Sequence, residues 1–131
     1  MAWVAITTII ALLQCTLFSF LVGRARVKYQ VHAPAISGQP VFDRVQRIHA
    51  NTVEQLVVFL PALWLCGWFL EPRLAAAVGL LFIIGRQRYF NHYMDDPCQR
   101  GKGFLLGLAS TLLLLLGALA GAILALLADI Y

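Results

Sequence analysis

Long apolar runs, each followed by a short polar stretch, set out the plan of this 131-residue chain. A bilayer core about 30 Å thick needs roughly 20 helical residues, and four segments meet that length. Segment 2–22 is broken only by mild residues such as Thr7, Thr8 and Gln14. Segment 45–70 has a polar first third, and segment 74–93 a polar C-terminal part. Segment 104–128 is the most apolar, with LLLLLGALAGAILALLA at its centre. The pattern predicts one all-α domain over 1–131, an integral-membrane four-helix bundle. Gly107, and the G-x-x-x-G pair Gly117 and Gly121, suit close helix contacts. Residues 1–23 lack the basic start of a signal peptide and read as a retained span.

The connections differ in kind. The first, 24–44, is long and basic and contains HAPAISGQP, whose Pro34, Gly38 and Pro40 mark turns. The second, Glu71-Pro72-Arg73, is so short that spans two and three must form a tight antiparallel pair. In the third, 94–103, Asp96 followed by Pro97 resembles a helix N-cap with Pro in the first helical position.

Composition agrees with the pattern. The chain is 61% hydrophobic and 12% charged, with a mean hydropathy of +0.81. Soluble domains are nearer half apolar and a quarter charged. The net charge of +4 therefore speaks first of topology, and neither a basic tail nor a basic-aromatic motif suggests nucleic acid. Arg24, Arg26, Lys28, Arg44 and Arg47 flank the first connection, and Arg86, Arg88, Arg100 and Lys102 the third; Arg73 alone falls on the other side. By the positive-inside rule the first and third connections are cytoplasmic and both termini outside. A bacterial inner membrane is the expected location. Cys15, Cys66 and Cys98 have neither metal spacing nor a pairing pattern, and no metal is expected. Pro61, inside span two, is expected at most to kink it.

One polar face does not fit a lipid-facing helix. At 100° per residue, Arg47, Asn51 and Glu54 lie at about 0°, 40° and −20°, with Arg44 near 60° and Gln55 near 80°. His49, near 200°, points the other way. Arg86, Tyr89 and Tyr93 share a face of span three. Arg44, Arg88 and Lys102 are explained by snorkelling to headgroups. Glu54 is not: it lies roughly 10 Å inside Arg47 along the axis, where a carboxylate is costly and needs a partner. The partner is either Arg47 and Asn51, in a structural network, or a charged ligand in a water-accessible pocket.

The stretch FDRVQRIHANTVEQLVVFLPALW (Phe42–Trp64) resembles the signature of the MAPEG superfamily, the membrane-associated proteins in eicosanoid and glutathione metabolism. ARVKYQVHAP (Ala25–Pro34), SGQPVF (Ser37–Phe42) and RQRYFNHYMDDPCQRGKGF (Arg86–Phe104) follow it in order and spacing. The pattern R-x-x-x-N-x-x-E with a later R-Y-F-x-x-Y-x₆-R is similar to the branch of leukotriene C synthases and type-two microsomal glutathione transferases. The resemblance implies a homotrimer with glutathione sites between subunits at the cytoplasmic side. It implies glutathione contacts at Arg26, Arg47, Asn51, Glu54, Tyr89, Tyr93 and Arg100. His49 stands where that branch has a contacting Gln, Gln55 where it has Tyr, and Val27 where it has a second basic residue. With the wheel, it further implies that Arg26 and His49 serve one pocket and Arg47, Asn51 and Glu54 that of a neighbouring subunit.

Glutathione carries two carboxylates, an ammonium and a thiol. Arginines bind carboxylates in bidentate fashion, Glu54 suits the ammonium, and Arg100, near the start of span four, is the candidate to favour the thiolate. The expected activity is glutathione transfer to hydrophobic electrophiles arriving from the lipid, with peroxidase action on lipid hydroperoxides beside it. The alternatives are a non-catalytic lipid- or glutathione-binding protein of the lipoxygenase-activating kind, and a membrane trimer whose polar stripe is purely structural.

Overall fold

The computed structural model describes residues 1–130. Four helices account for nearly all of it: α1 (Ala2–Tyr29), α2 (Pro40–Phe69), α3 (Pro72–Asp95) and α4 (Gly101–Ile130). One 3₁₀ turn, Pro97–Arg100, precedes α4. The fold is the all-α bundle that the hydropathy pattern predicts. Helices α1, α2 and the turn-plus-α4 unit are each long and apolar enough to cross a membrane. Helix α3 falls outside that set, because its apolar stretch Leu74–Gly85 gives way to Arg86, Gln87, Arg88, Asn91 and His92.

Helix α1 runs through Arg24, Arg26 and Lys28, which sequence reading assigns to the first connection. It stops at Gln30, which adopts a left-handed conformation (φ 55°) and returns its amide to the Arg26 carbonyl. The first connection is therefore only 30–39. Helix α2 begins at Pro40, capped by the Gln39 side chain, which accepts from the Val41 and Phe42 amides at 2.8 and 3.2 Å. It continues unbroken through Pro61. At 30 residues it is about 45 Å long, against about 30 Å of hydrocarbon. One end must project into the interface, and its polar first third is the end suited to do so.

The core follows the helical period. Phe42, Val45, Ile48, Thr52, Leu56, Phe59, Leu63 and Cys66 of α2 are buried at intervals of three and four. They meet Val4, Ala11 and Phe18 of α1, Ala75, Phe82 and Tyr89 of α3, and Leu114 and Ala118 of α4. The Phe59 and Phe82 rings stack at 3.8 Å. The mild polar groups of α1 are satisfied within the bundle. The hydroxyls of Thr7, Thr8 and Thr16 donate to carbonyls four residues back, and Gln14 donates to the Ile83 carbonyl of α3 at 3.1 Å.

Small residues decide how closely α4 approaches its neighbours. Gly85 of α3 faces Gly103 and Gly107 of α4, and a methyl group at Gly85 would lie 2.8 Å from the Gly107 nitrogen. Gly117 and Gly121 are occupied inside the chain: Gly117 faces Cys66 and Leu70, and Gly121 the backbone of Phe69. Both serve α2–α4 packing within one chain.

Candidate functional site

At the end of the bundle where α2 begins and α3 ends, four elements surround a half-open recess of about 370 Å³. Its walls are Arg47 and Asn51 of α2, Tyr89 of α3, Arg100 of the 3₁₀ turn, and Gly101 and Phe104 of α4. Local sequence explains how each is placed. Arg47 and Asn51 lie one turn apart on α2, and Tyr89 and Tyr93 one turn apart on α3. Asp96 ends α3 and accepts the Cys98 amide at 2.9 Å. With Pro97 next, it starts the 3₁₀ turn that delivers Arg100 directly ahead of α4. The N-cap expected at Asp96 is thus real, but it caps the turn. Arg44 anchors the same corner by donating to the Met94 carbonyl at 2.9 Å, in the last turn of α3, where a cation also suits the helix dipole.

Around the recess the polar groups hold one another. Arg47 meets Glu54 at 3.4 Å, with both side chains about 55% exposed. The Asn51 amide donates to the other Glu54 oxygen at 3.3 Å. Arg100 donates to the Tyr93 hydroxyl at 3.4 Å and lies over its ring. Tyr89 and Tyr93 stack at 5.5 Å, inclined by 10°. Asn51 is buried, and its Oδ1 has no partner among the described residues. Three donors of positive or hydrogen-bonding character, Arg47, Asn51 and Arg100, thus face one space beside a carboxylate. That suits a ligand bearing carboxylates and an ammonium.

The structure brings together six of the sequence-derived residues: Arg47, Asn51, Glu54, Tyr89, Tyr93 and Arg100. It does not bring Arg26, His49 or Gln55 to them. The Arg26 guanidinium closes the first connection, donating to the Val31 and Ala35 carbonyls at 3.3 and 2.7 Å and lying over the Phe42 ring at 4.9 Å. His49 and Gln55 are half-buried on α2 and have no side-chain hydrogen bond among the described residues. Two participants escape sequence reasoning. Phe104 forms an apolar wall. Arg86, 1% exposed, donates to the Thr52 hydroxyl at 3.0 Å and lies over the Tyr89 ring at 4.3 Å. The one signal for Arg86 was its place on the same face as Tyr89 and Tyr93. Among the described residues no group of three His, Cys, Asp or Glu side chains could hold a metal.

Fold and site together define a helical membrane protein with a polar, arginine-lined recess at one end of its bundle. Residues 4–120 match the MAPEG family, and the chain belongs to it. It is 41% identical to human microsomal glutathione S-transferase 2 over 88% of its length and 79% of that protein. It is likewise 41% identical to an uncharacterised Synechocystis protein, over 89% and 85% of the two chains. Bovine leukotriene C4 synthase is 35% identical over 76% of this chain and 66% of its own.

Proposed function

We propose that the protein is a membrane-bound glutathione transferase that ionises the glutathione thiol for attack on hydrophobic electrophiles. The observation carrying this reading is the convergence of Arg47, Asn51, Tyr89 and Arg100 on one recess, in a chain similar to a microsomal glutathione S-transferase. Arg47 takes a glutathione carboxylate and Glu54 its ammonium. Tyr89 and Phe104 bound the recess with ring surface. Arg100 faces the thiol. A free thiol has a pKa of about 8.5 and is mostly protonated at neutral pH. Lowering it by two units takes about 2.7 kcal/mol. A guanidinium at about 4 Å supplies about 4 kcal/mol at an effective dielectric of about 20, and the N-terminus of α4 adds to it. Arg100 is exposed in the single chain, so a shift of that size requires the bound ligand to exclude water from the contact. The thiolate forms a C–S bond as the electrophile's leaving group departs with its electron pair; in the peroxidase reaction it attacks the distal oxygen of a lipid hydroperoxide, breaking the O–O bond to give the alcohol and glutathione sulfenic acid, which a second glutathione converts to the disulfide and water.

The same reading places the recess at the cytoplasmic face of a bacterial inner membrane, between subunits of a homotrimer, where water-soluble glutathione meets a lipid-soluble partner. The test is turnover of glutathione and 1-chloro-2,4-dinitrobenzene by detergent-solubilised protein. Arg100→Ala should lower kcat by about 100-fold while leaving glutathione binding largely intact. Undiminished turnover in that variant refutes the role of Arg100, and a flat calorimetric titration of the wild type with glutathione refutes the wider reading. A non-catalytic binding protein is the second reading, favoured by the Arg100 contact with Tyr93, which already engages that guanidinium. It predicts glutathione binding with no turnover.

A further inference from the structure

Arg86 is among the largest fully buried side chains in the protein, and it has no counter-ion. The one ion pair among the described residues is Arg47–Glu54. A guanidinium buried within a membrane bundle is costly and calls for a specific use. Its hydrogen bonding is incomplete: Nη2 reaches Thr52, and Nε has no partner among the described residues. What it does contact is a ring. The Arg86 guanidinium lies 4.3 Å from the Tyr89 centroid, within cation–π range. Tyr89 stacks on Tyr93 at 5.5 Å, and Arg100 lies 5.4 Å from the Tyr93 centroid. Arg86, Tyr89, Tyr93 and Arg100 thus form a chain of planar contacts that leads from the buried guanidinium to the recess.

We infer that Arg86 is a positioning residue for Arg100. Its plane, fixed by Thr52 below and by Tyr89 above, sets the tilt of the two tyrosines and so the direction in which Arg100 faces the recess. This rests on the glutathione reading above. The arrangement explains why a planar cation stands here, since an ammonium has no plane to stack. It also explains why Thr52 is polar within the apolar stripe of α2. Its hydroxyl donates to the Ile48 carbonyl at 2.8 Å and turns a lone pair to Arg86.

The test compares wild type, Arg86→Met, Arg86→Lys and Thr52→Val as detergent-solubilised full-length proteins. Glutathione binding is measured by calorimetry. Thiolate formation is followed by ultraviolet absorbance of the glutathione complex across pH, and turnover by steady-state kinetics. In Arg86→Met the thiolate titration should move upward, and kcat should fall about tenfold with KM for glutathione within about threefold. Arg86→Lys, which keeps charge without the plane, should behave like Arg86→Met. An unchanged titration in folded Arg86→Met overturns the inference, and so does full rescue by lysine, which would leave only a diffuse field effect. If both Arg86 variants fail to fold, Thr52→Val decides. It keeps the cation and removes its anchor, so a smaller upward shift supports the inference and no shift overturns it. Absence of glutathione binding in the wild type would defeat the glutathione reading itself; normal binding and ionisation there, with unaltered variants, defeats only the role of Arg86.

Discussion

Replacing Gly103 by alanine should damage both stability and the recess. A methyl group on Gly103 would lie 2.7 Å from the Tyr89 Cα and 2.9 Å from the Arg88 carbonyl carbon, and would also overlap the Tyr89 nitrogen. Ordinary carbon contacts are about 3.5–4.0 Å, so α3 and α4 must part by roughly 1 Å. The obstacle is backbone and cannot rotate away. Overpacking of this kind costs about 1–3 kcal/mol, offset by up to about 1 kcal/mol from the better helix propensity of alanine. A net loss of roughly 1–2 kcal/mol is expected. Arg100 sits just ahead of Gly103 at the start of α4, and its contact with Tyr93 is already long at 3.4 Å. Parting the helices should break that contact and weaken glutathione binding about tenfold. Gly101→Ala is the matched control, because nothing lies within 4 Å of the methyl it adds. It should be neutral or slightly stabilising. Apparent Tm by circular dichroism in detergent, with calorimetric glutathione binding, reads both effects. Wild-type Tm and affinity in Gly103→Ala would refute the close approach of α3 and α4. A lowered Tm with undiminished affinity would refute the link from helix spacing to the recess.

Two further substitutions probe features away from the recess. Arg26→Ala should cost about 1–3 kcal/mol through its lost bonds to the Val31 and Ala35 carbonyls and speed proteolysis within 30–39; a tenfold loss of glutathione affinity beside it would place Arg26 at a neighbouring subunit's pocket as well, and affinity within about threefold of wild type would confine it to the connection. Glu71 caps α3 through the Leu74 amide, and that bond, with help from the Arg73 amide, holds its carboxyl below the ordinary 4.5. Because the folded-state pKa is the lower one, its stabilisation is present above about pH 4.5 and fades as pH falls through the folded value. Glu71→Gln should therefore show a shallower acid loss of helicity than wild type over that window, and superimposable acid curves would refute the cap.

The helices were legible because burial in this bundle follows the period of its apolar residues. The α2 stripe from Phe42 to Cys66 is readable before any coordinates exist. Five residues around the recess were legible for a related reason: Arg47, Asn51 and Glu54, like Tyr89 and Tyr93, are neighbours on one helix face, and periodicity reports faces; Arg100, on the 3₁₀ turn, stood out through the family resemblance instead. The contacts that Arg26 makes within the chain were not legible in the same way. Its partners are carbonyls of a connection whose path depends on where α1 stops, and the left-handed Gln30 that stops it carries no strong sequence signal. Arg86 was hidden because its burial requires Thr52 of α2 and the close approach of α4 at Gly107 together. A single-helix wheel cannot distinguish an arginine that snorkels from one enclosed by neighbouring helices. The glycines show the same limit. Spacing marked Gly117 and Gly121 as contact-forming, while the choice between a helix of the same chain and one of another belongs to tertiary structure.

The exposure of the Arg47–Glu54 pair gives the recess its chemical logic. A buried ion pair loses about 3–5 kcal/mol when one partner is removed, and a ligand entering such a site would have to overcome that cost. Here both side chains are about 55% exposed, so the pair contributes about 1 kcal/mol or less. A zwitterionic head group can separate the two at little cost and return to each a charge of the right sign: its carboxylate to Arg47 and its ammonium to Glu54. Asn51 remains bonded to Glu54 throughout, which keeps the carboxylate in place while its cationic partner changes. A ligand with a carboxylate alone would satisfy Arg47 but leave Glu54 facing like charge. Glutathione should accordingly bind more tightly than its N-acetylated form, in which the ammonium is removed, and Glu54→Gln should shrink that preference. Equal affinity of wild type for the two ligands would contradict the proposed exchange of partners.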